Sequence, residues 1–498
     1  MGEFKFRIPD FWDLESRHAR TIHLIGLDGI PRPCSVDQQG DLLTITRNQN
    51  ESAKTYISYP FAEFGELTIC TGTLLESEKP YDLVTELARG TLNRLRNQTS
   101  IWREGGLEIP PEVIELTTQG IKALGAAIVG QGNSNQQPAQ DALDCAMKGI
   151  FALCEKFGEQ ISQFRVSQTE IPTFWQAASL SDQIEESPIH SSFDLLQISS
   201  RNRLETLQSR TIIGPLLDAS PMSSFGIESE NFQEGRQKLL DDLDQTLEQI
   251  QDNVSLIHAA CGLNGIGHRH LSYRQQLQLT SDMLSRIEDS SCDLPVMVSF
   301  DYPWAERLAW SVGGAHPLQI AEDLMRNGSQ ISMVGLDINL DYWPGGSVAR
   351  DPLQWIDLID IWCQLGLPVA LCLRAPNASR DEEELERPAM LPIELAVGKG
   401  DQPTVANTKD SDTKDFTIRK RTDNKVRENM THVQRGRLLE TILKIAVARP
   451  AVHGVIWRQW SDSDDTRYPD AGLVDHGGSE KSTLASIRSL RSDTLKRT

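Results

Sequence analysis

Carboxylates occur near the ends of three segments that are predicted to be buried strands. Asp301 directly follows one apolar run, Asp337 lies late in the next, and Asp462 follows the last. In a barrel of parallel strands the carboxyl ends meet at one face, so such acids approach one another. Two carboxylates about 6.5–9.5 Å apart can hydrolyse a glycosidic bond with inversion. We therefore take Asp301, Asp337 and Asp462 as candidate catalytic residues, with sugar-ring binding or loop capping as their alternative role.

Other side chains at the same strand ends have the shape to hold a sugar. Asn339 and Asp341 alternate with Asp337 along one strand, so the three are predicted to share a face. Aromatic rings can stack on a flat polar ring while polar groups bind its hydroxyls. Simple packing is the alternative interpretation of the aromatic residues. The candidate substrate-binding residues are Trp304, Asn339, Asp341, Tyr342, Trp343, Trp457 and Trp460.

The last predicted strand and the loop after it resemble glycoside hydrolase family 10, the xylanase-type barrels. The matching residues are Trp457, Ser461, Asp462 and Lys481. Arg458 stands where the family has a glycine, and Ser482 where it has a proline. The segments FDYPW and VGLDINL resemble the family's fifth and sixth strands, although Asp337 and Asn339 replace a glutamine and a histidine. The resemblance covers roughly Thr211–Arg491 and implies a barrel with a carbohydrate site at its mouth.

The same resemblance implies that both catalytic glutamates of the family are missing. They belong at the ends of strands four and seven, where this chain has LIHAACG and ALCLRAP, so that Cys261 and Leu373 replace them. No Asp or Glu lies between Val254 and Arg274 or between Asp360 and Asp381. A leucine cannot attack a sugar, and a thiol is a poor proton donor compared with glutamic acid. We therefore expect the family's retaining mechanism to be absent.

Three functions are compatible with these residues. The chain could be a divergent family member, a pseudoenzyme that binds carbohydrate without cleaving it. It could be an active O-glycosyl hydrolase or lyase that uses displaced acids, Asp337 with Asp301 or Asp462. It could also be a non-catalytic structural or interaction protein, because a fold does not fix a function.

The C-terminal part, residues 191–498, alternates apolar strands with amphipathic helices, which predicts an α/β fold with a TIM-type (β/α)8 barrel. Seven strands rather than eight are identifiable, so either an early strand is missed or the barrel is truncated. The predicted strands are Phe193–Ile198, Thr211–Leu217, Val254–Ala260, Pro295–Phe300, Ser332–Leu340, Leu367–Leu373 and Val452–Trp457. Residues 377–429 are charge-rich and poor in apolar side chains, which predicts a mobile insertion, either a lid or a plain loop.

Two further regions precede the predicted barrel. Residues 1–78 are predicted to form a small antiparallel β module, which acts as a structural cap or as a sugar-binding accessory. Residues 79–190 are predicted to be helical. Apolar residues recur three and four apart from Leu143 to Phe164, and a helical hairpin with Pro111–Val129 is favoured over a coiled-coil dimer.

The composition argues against several other functions. With 49 basic and 70 acidic residues, the net charge is −21, so nucleic-acid or anionic-membrane binding is not expected. No signal-peptide pattern and no apolar run of about 18 residues occurs, so a cytoplasmic protein is expected. The eight cysteines lack zinc spacing, and His268 and His270 have no obvious third ligand, so no metal or other cofactor is expected. The expected partner is an oligo- or polysaccharide, and the oligomeric state is left open.

Overall fold

The computed structural model describes the chain apart from residues 1, 10–20, 131–135, 168–173, 181–191, 200–208, 219–226, 228–230, 251, 264–270, 291, 310–314, 343–345, 378–386, 389–424, 427–429, 463–467 and 495–498. Several predictions lie outside the described residues. These are the candidate site residue Trp343, the histidines His268 and His270, and most of the insertion 377–429.

Two small sheets form the N-terminal part of the chain, as the alternating sequence predicted. Their strands are β1 (Gly2–Arg7), β2 (His23–Ile25), β3 (Pro31–Arg32), β4 (Ser35–Gln39), β5 (Leu42–Arg47), β6 (Lys54–Phe61), β7 (Gly65–Cys70) and β8 (Tyr81–Asp82). One sheet has the order β4–β5–β1–β8 and the other β3–β2–β6–β7, and all pairs except β1–β8 are antiparallel. Alternate side chains are buried, so Phe4 and Phe6 of β1 lie with Leu43 and Ile45 of β5 in the core.

Three long helices follow the sheets and pack on one another. They are α1 (Leu83–Glu104), α2 (Pro111–Val129) and α3 (Gln136–Ser167). The side chain of Asp82 caps α1 by accepting from Thr85 N at 2.8 Å. The apolar stripe of α3 is buried against α1 and α2, with Phe157 stacked on Trp102 at 4.2 Å between ring centroids. The predicted pairing of α3 with Pro111–Val129 is therefore present, while α2 keeps Ile114, Ile121 and Ile128 exposed.

The remaining strands include those of the predicted barrel, which the structure confirms. They are β9 (Trp175–Leu180), β10 (Leu195–Ile198), β11 (Thr211–Ile213), β12 (Leu217–Asp218), β13 (Val254–Cys261), β14 (Val296–Asp301), β15 (Met333–Asn339), β16 (Val369–Arg374), β17 (Arg387–Pro388), β18 (Lys425–Val426) and β19 (Val452–Trp457). Within the described chain, eight parallel strands close into a ring in the order β9–β10–β11–β13–β14–β15–β16–β19, and β19 pairs back to β9. We number these eight barrel strands one to eight.

Barrel strand one, β9, is the strand that the sequence did not reveal. Its sequence WQAASL is rich in small residues and has no β-branched side chain, so strand propensity is weak. It lies upstream of residue 191, so the barrel begins earlier than the predicted boundary. The strands predicted fourth to eighth keep those positions in the ring.

Helices surround the ring and separate most of its strands. They are α4 (Phe232–Glu248), α5 (Tyr273–Asp289), α6 (Pro317–Arg326), α7 (Pro352–Cys363), α8 (His432–Ala448) and α9 (Ser482–Thr494), with a short 3-10 turn at Glu306–Ala309. Capping boxes at Ser272–Gln275 and Thr431–Gln434 start α5 and α8. None of the described helices combines the length and apolar character needed to cross a membrane.

The barrel interior divides into an apolar lower part and a polar upper part. Small and apolar side chains from all eight strands fill the lower part as a cluster separate from the strand–helix core. They are Ala177, Leu195, Ile212, Leu256, Met297, Met333, Ala370, Cys372 and Ile456, with Trp175 packed against them. Toward the carboxyl ends, the next inward residues of several strands are polar, and these build the candidate site.

One buried acid joins the N-terminal sheets, the helices and the barrel. Asp351 accepts from both Nη atoms of Arg94 in α1 at 2.8 and 3.1 Å. Its Oδ1 also caps α7 by accepting from Leu353 N at 3.0 Å. Gln354 donates to Asp351 Oδ2 at 2.7 Å and to the Thr68 carbonyl of β7 at 2.6 Å. The position of the sheets on the barrel therefore depends on a charged group that is buried from solvent.

Removing this acid should destabilise the protein far more than removing its exposed neighbour. Asp351→Ala leaves Arg94 buried without its bidentate partner, which should cost about 3–5 kcal/mol of unfolding free energy. Asp357 lies 3.5 Å from the same guanidinium, but its side chain is 60% exposed, so Asp357→Ala should cost less than about 1 kcal/mol. Urea denaturation of both variants measures the difference. Equal losses would contradict the role given to Asp351.

Candidate functional site

A buried arginine at the end of barrel strand eight organises the polar upper part of the barrel. Arg458 is 9% exposed. Its Nε lies 3.6 Å from Asp337 Oδ1 on strand six, and its Nη2 lies 3.8 Å from Cys261 Sγ on strand four. Its Nη1 donates to His258 Nδ1 at 3.3 Å. Side chains from strands four, six and eight therefore meet around one cation.

A chain of hydrogen bonds that includes this arginine connects side chains of five other barrel strands, namely one, two, four, five and six. Gln197 Nε2 lies 2.8 Å from His258 Nδ1, and His258 Nε2 lies 2.9 Å from Ser299 Oγ. Ser299 in turn donates to Asp337, and Ser179 donates to Gln197 Oε1. Because a guanidinium can only donate, His258 Nδ1 must accept, which places the imidazole proton on Nε2, facing Ser299. The chain therefore has one consistent direction, ending on the Asp337 carboxylate. We call these residues, with Arg458, the strand-end network.

The network holds its histidine neutral and its arginine charged. Burial, aided by the Arg458 charge, lowers the pKa of His258 from 6.5 to about 3. Burial alone would lower the pKa of Arg458, but Asp337, Cys261, Cys372 and Asp218 together outweigh it, so the pKa lies above the usual arginine value. Buried donors and charges are tolerated only when they are paired. Arg458 and Asp337 therefore form the charged centre, and His258 connects them without adding a charge.

Asp301 stands beside this centre and differs from Asp337 in its surroundings. It is the register partner of Asp337 on the adjacent strand, and it is half-buried at the barrel mouth. Burial raises the pKa of Asp301 well above its usual value, and the charges of Asp337 and Asp218 raise it further. Two neighbouring carboxyl groups whose environments differ in this way can serve as acid and base.

The two residues that were expected to stand in place of catalytic glutamates, Cys261 and Leu373, face different environments. Cys261 does lie beside Arg458, and burial raises the pKa of its thiol, so it is a weak nucleophile. Leu373, however, packs in the core between strands and helices, while its neighbour Cys372 belongs to the interior cluster. Because side chains alternate along a strand, the inward position at the end of strand seven is Arg374. Leu373 therefore does not face the barrel mouth.

Arg374 fixes another part of the mouth. Its Nη1 donates to Asn339 Oδ1 at 3.0 Å, and its guanidinium lies 4.5 Å from the centroid of the Tyr468 ring. Tyr342 packs edge-to-face on Tyr468 at 5.2 Å and donates to the Pro469 carbonyl at 2.5 Å. Asn339 and Tyr342 are thus buried within the wall of the mouth, and Tyr468 is the half-exposed aromatic ring among them.

Asp341 does not share the face of Asp337 and Asn339, contrary to the prediction. Strand six ends at Asn339, and Asp341 has a φ of 64°, which interrupts the alternation. Its carboxylate forms an ion pair with Arg435 of α8 at 3.0 Å. The side chain therefore anchors the loop to a helix outside the ring.

The acid after strand eight has a structural partner. Asp462 forms an ion pair with Lys481 at 2.5 Å and accepts from Gly472 N at 2.9 Å. Both side chains of the ion pair are buried. Asp462 and Lys481 thus hold together the loop between strand eight and α9. The carboxylate of Asp462 is occupied by these contacts rather than paired with Asp301 or Asp337.

The predicted tryptophans are anchored inside the protein. Trp457 donates to the Ala471 carbonyl at 2.9 Å, and Trp460 packs edge-to-face on Phe193 at 6.3 Å. Both are buried. Trp304 donates to the Gln354 carbonyl of α7 at 3.3 Å, which puts it between the barrel and the N-terminal sheets. The structure therefore brings Asp301, Asp337, Asn339 and Cys261 together and assigns the indoles of Trp457 and Trp460 to packing.

Sequence reasoning missed Ser179, Gln197, His258, Ser299 and the role of Arg458. A signal was present for Gln197, His258 and Ser299, each of which is a polar residue flanked by apolar ones in a predicted strand. In an all-parallel barrel such a residue faces either the surrounding helices or the barrel interior. In the interior it can form hydrogen bonds with polar side chains of other strands.

Comparisons with known proteins give a fold likeness without a family assignment. No family model matches the chain, and no curated protein matches it. Similar solved structures include native xylanase 10B from Thermotoga maritima, at 9% identity and a TM-score of 0.42, over 69% of this chain and 99% of that one. A GH10 endoxylanase from a sugarcane soil metagenome has 10% identity and a TM-score of 0.42, over 66% and 99%. The fold assignment rests on the strand pairing of this chain, because TM-scores this low do not support one.

The neutral histidine predicts a pH dependence of stability. Unfolded His258 binds a proton below about pH 6.5, whereas the folded form does so only near pH 3, so stability falls on acidification. His258→Gln should reduce the slope of unfolding free energy against pH by about 1.4 kcal/mol per pH unit between about pH 6 and 4. Denaturation at several pH values measures the slopes, and exposed His476 supplies the control variant His476→Gln. Parallel curves for wild type and His258→Gln would show that the histidine is not held neutral.

Proposed function

We propose that the barrel mouth binds an oligo- or polysaccharide and has lost retaining hydrolysis. The observation that carries this proposal is the chemistry of two inward positions. Cys261 and Arg374 occupy the ends of strands four and seven, where a retaining hydrolase needs carboxylates about 5–5.5 Å apart. A thiol of raised pKa and a guanidinium can neither protonate a leaving group nor attack a sugar carbon.

The mouth nevertheless suits a hydroxyl-rich ligand. Asp301 and Asp218 are half-buried acceptors, and Arg374 supplies donors beside the half-exposed ring of Tyr468. Carboxylate and guanidinium groups bind hydroxyls by charge-assisted hydrogen bonds, and an aromatic ring can cover the apolar face of a sugar. The strand-end network holds these groups from beneath, so the site is ordered before a ligand arrives.

Binding without cleavage is the expected experimental result. Xylo-oligosaccharides and a wider glycan panel should include a ligand that raises the melting temperature without releasing reducing sugar. Asp301→Ala should weaken the binding of that ligand by about tenfold, because a sugar hydroxyl loses a hydrogen-bonding partner. Asp241→Ala changes an exposed aspartate on α4 and serves as the matched control. If no glycan of the panel changes the melting temperature, the proposal is contradicted. A non-catalytic interaction protein is then the better supported function.

A second candidate, hydrolysis by displaced acids, is favoured by one observation. Asp301 and Asp337 are in register on adjacent strands, which lie about 4.8 Å apart in a sheet. This spacing is nearer to a retaining pair than to the inverting pair expected from the sequence. In this alternative, Asp301 with its raised pKa is the proton donor and Asp337 is the anion. Arg458 and Ser299 would then orient Asp337 rather than merely pair with it.

Aryl glycosides test this alternative. Any turnover should decline as pH rises through the raised pKa of Asp301, because the reaction needs the protonated acid. Asp301→Asn should lower the rate by about 10²–10⁴-fold, whereas Asp241→Asn should leave it unchanged. Turnover that survives Asp301→Asn would exclude this pair.

A further inference from the structure

A cavity of about 600 Å³ lies where the N-terminal sheets meet the side of the barrel. Its walls come from the loop after β2, from Tyr56 of β6, from Pro303 and Trp304 after strand five, and from helix α7. Small-molecule pockets usually measure roughly 300–1,000 Å³. Gln354 bonds the sheet to the helix beside it, so the walls are already fixed. This is a preformed pocket separate from the barrel mouth.

Arg350 is the buried cation of this cavity. Its side chain is 2% exposed, and its Nη1 donates to Gln354 Oε1 at 2.8 Å. Its Nε has no hydrogen-bond partner among the described residues. The guanidinium lies 5.0 Å from the Trp304 ring centroid and 5.6 Å from that of Tyr56. A buried donor without an acceptor is costly, so the site favours a ligand that supplies one.

Rigid aromatic rings and exposed apolar side chains surround this cation. The Trp304 ring is held edge-to-face by Trp355 at 5.2 Å, and Tyr56 stacks on His23 at 5.0 Å. Leu27 and Ile361 line the same cavity and are 77% and 45% exposed. Exposed apolar side chains around a concave aromatic surface suit a ligand with a flat apolar body.

Two acids of the lining have cationic partners. Asp357 lies 3.5 Å from Arg94, and Asp360 is paired with Arg449. Glu306 is buried near Arg350, and burial raises the pKa of Glu306 while the positive charge of Arg350 opposes the rise. Exposed Lys54 adds a second positive charge to the lining.

We propose that this cavity binds a small organic carboxylate with a flat apolar or aromatic body. The carboxylate accepts from the Arg350 guanidinium, and the body lies against Trp304, Tyr56, Leu27 and Ile361. A guanidinium matches the planar fork of a carboxylate. A phosphate dianion fits less well, because Asp357 and Asp360 lie in the same lining. The proposal is independent of carbohydrate binding at the barrel mouth.

Titration calorimetry with three probe acids tests the proposal on the full chain. Benzoate, indole-3-acetate and naphthalene-2-carboxylate are each compared with the matching neutral amide. At least one acid should bind at one site per chain, and its amide should bind weaker by about tenfold or more, since it lacks the charged acceptor. Naphthyl phosphate supplies the phosphate arm and should bind more weakly than the carboxylate.

Exposed positions at the rim provide variants that preserve the fold. Ile361→Glu should lower the affinity for the probe acid by about tenfold, because the added negative charge repels the carboxylate. Ile361→Lys should raise the affinity, because the added positive charge attracts it. Ile121 on α2 is 44% exposed, close to the 45% of Ile361, and Ile121→Glu is the matched control. Arg350→Met should abolish the preference for acid over amide, with circular dichroism to check its fold.

Several results would overturn the assignment. These are an equal affinity for acids and amides, an equal loss of affinity for the acid in both Ile361 variants, and no saturable binding of any probe acid at millimolar concentration. If Arg350→Met does not fold, the pair of opposite charges at Ile361 still decides the question.

Discussion

The polar interior of this barrel depends on the burial of one guanidinium. A charge inside a protein is stable only with an opposite charge and acceptors close by. Arg458 obtains them from Asp337, from the accepting nitrogen of His258 and from Cys261. The histidine must then stay neutral, which directs its proton to Ser299 and fixes the serine on Asp337. The side chains of strands one, two, four, five and six are thereby set by a residue that follows strand eight.

The same arrangement decides which chemistry the mouth can support. Asp337 is held in place by an arginine and a serine, whereas burial and the charges of Asp337 and Asp218 raise the pKa of Asp301 well above its usual value. Asp301 is thus the group that can give a proton, and the inward Arg374 leaves no acid at the end of strand seven. The inward arginines thus place cations and hydrogen-bond donors, rather than further carboxylates, at the ends of strands seven and eight.

Much of the fold followed from the sequence, but side-chain direction did not. The apolar strands of the barrel were identifiable from periodicity, except for Trp175–Leu180, whose small residues pack in a narrow interior and carry no propensity signal. Leu373 and Asp341 were misassigned because direction changes with a single residue of register or with one residue at positive φ. The indoles of Trp457 and Trp460 looked like binding surfaces, yet tertiary contacts that no local pattern encodes make them anchors for the loop after strand eight.

A short strained segment connects the barrel mouth with the cavity beside the N-terminal sheets. It begins at Asp301 and includes Trp304. Two of its residues have a positive φ, Tyr302 at 47° and Ala305 at 59°. Such a conformation costs roughly 1–2 kcal/mol for each residue that is not glycine. The strain persists because both ends are held, Asp301 by its place on strand five and Trp304 by Gln354 and Trp355. The backbone between Asp301 and Trp304 is therefore fixed at both ends, and this one segment forms part of the wall of both the barrel mouth and the cavity.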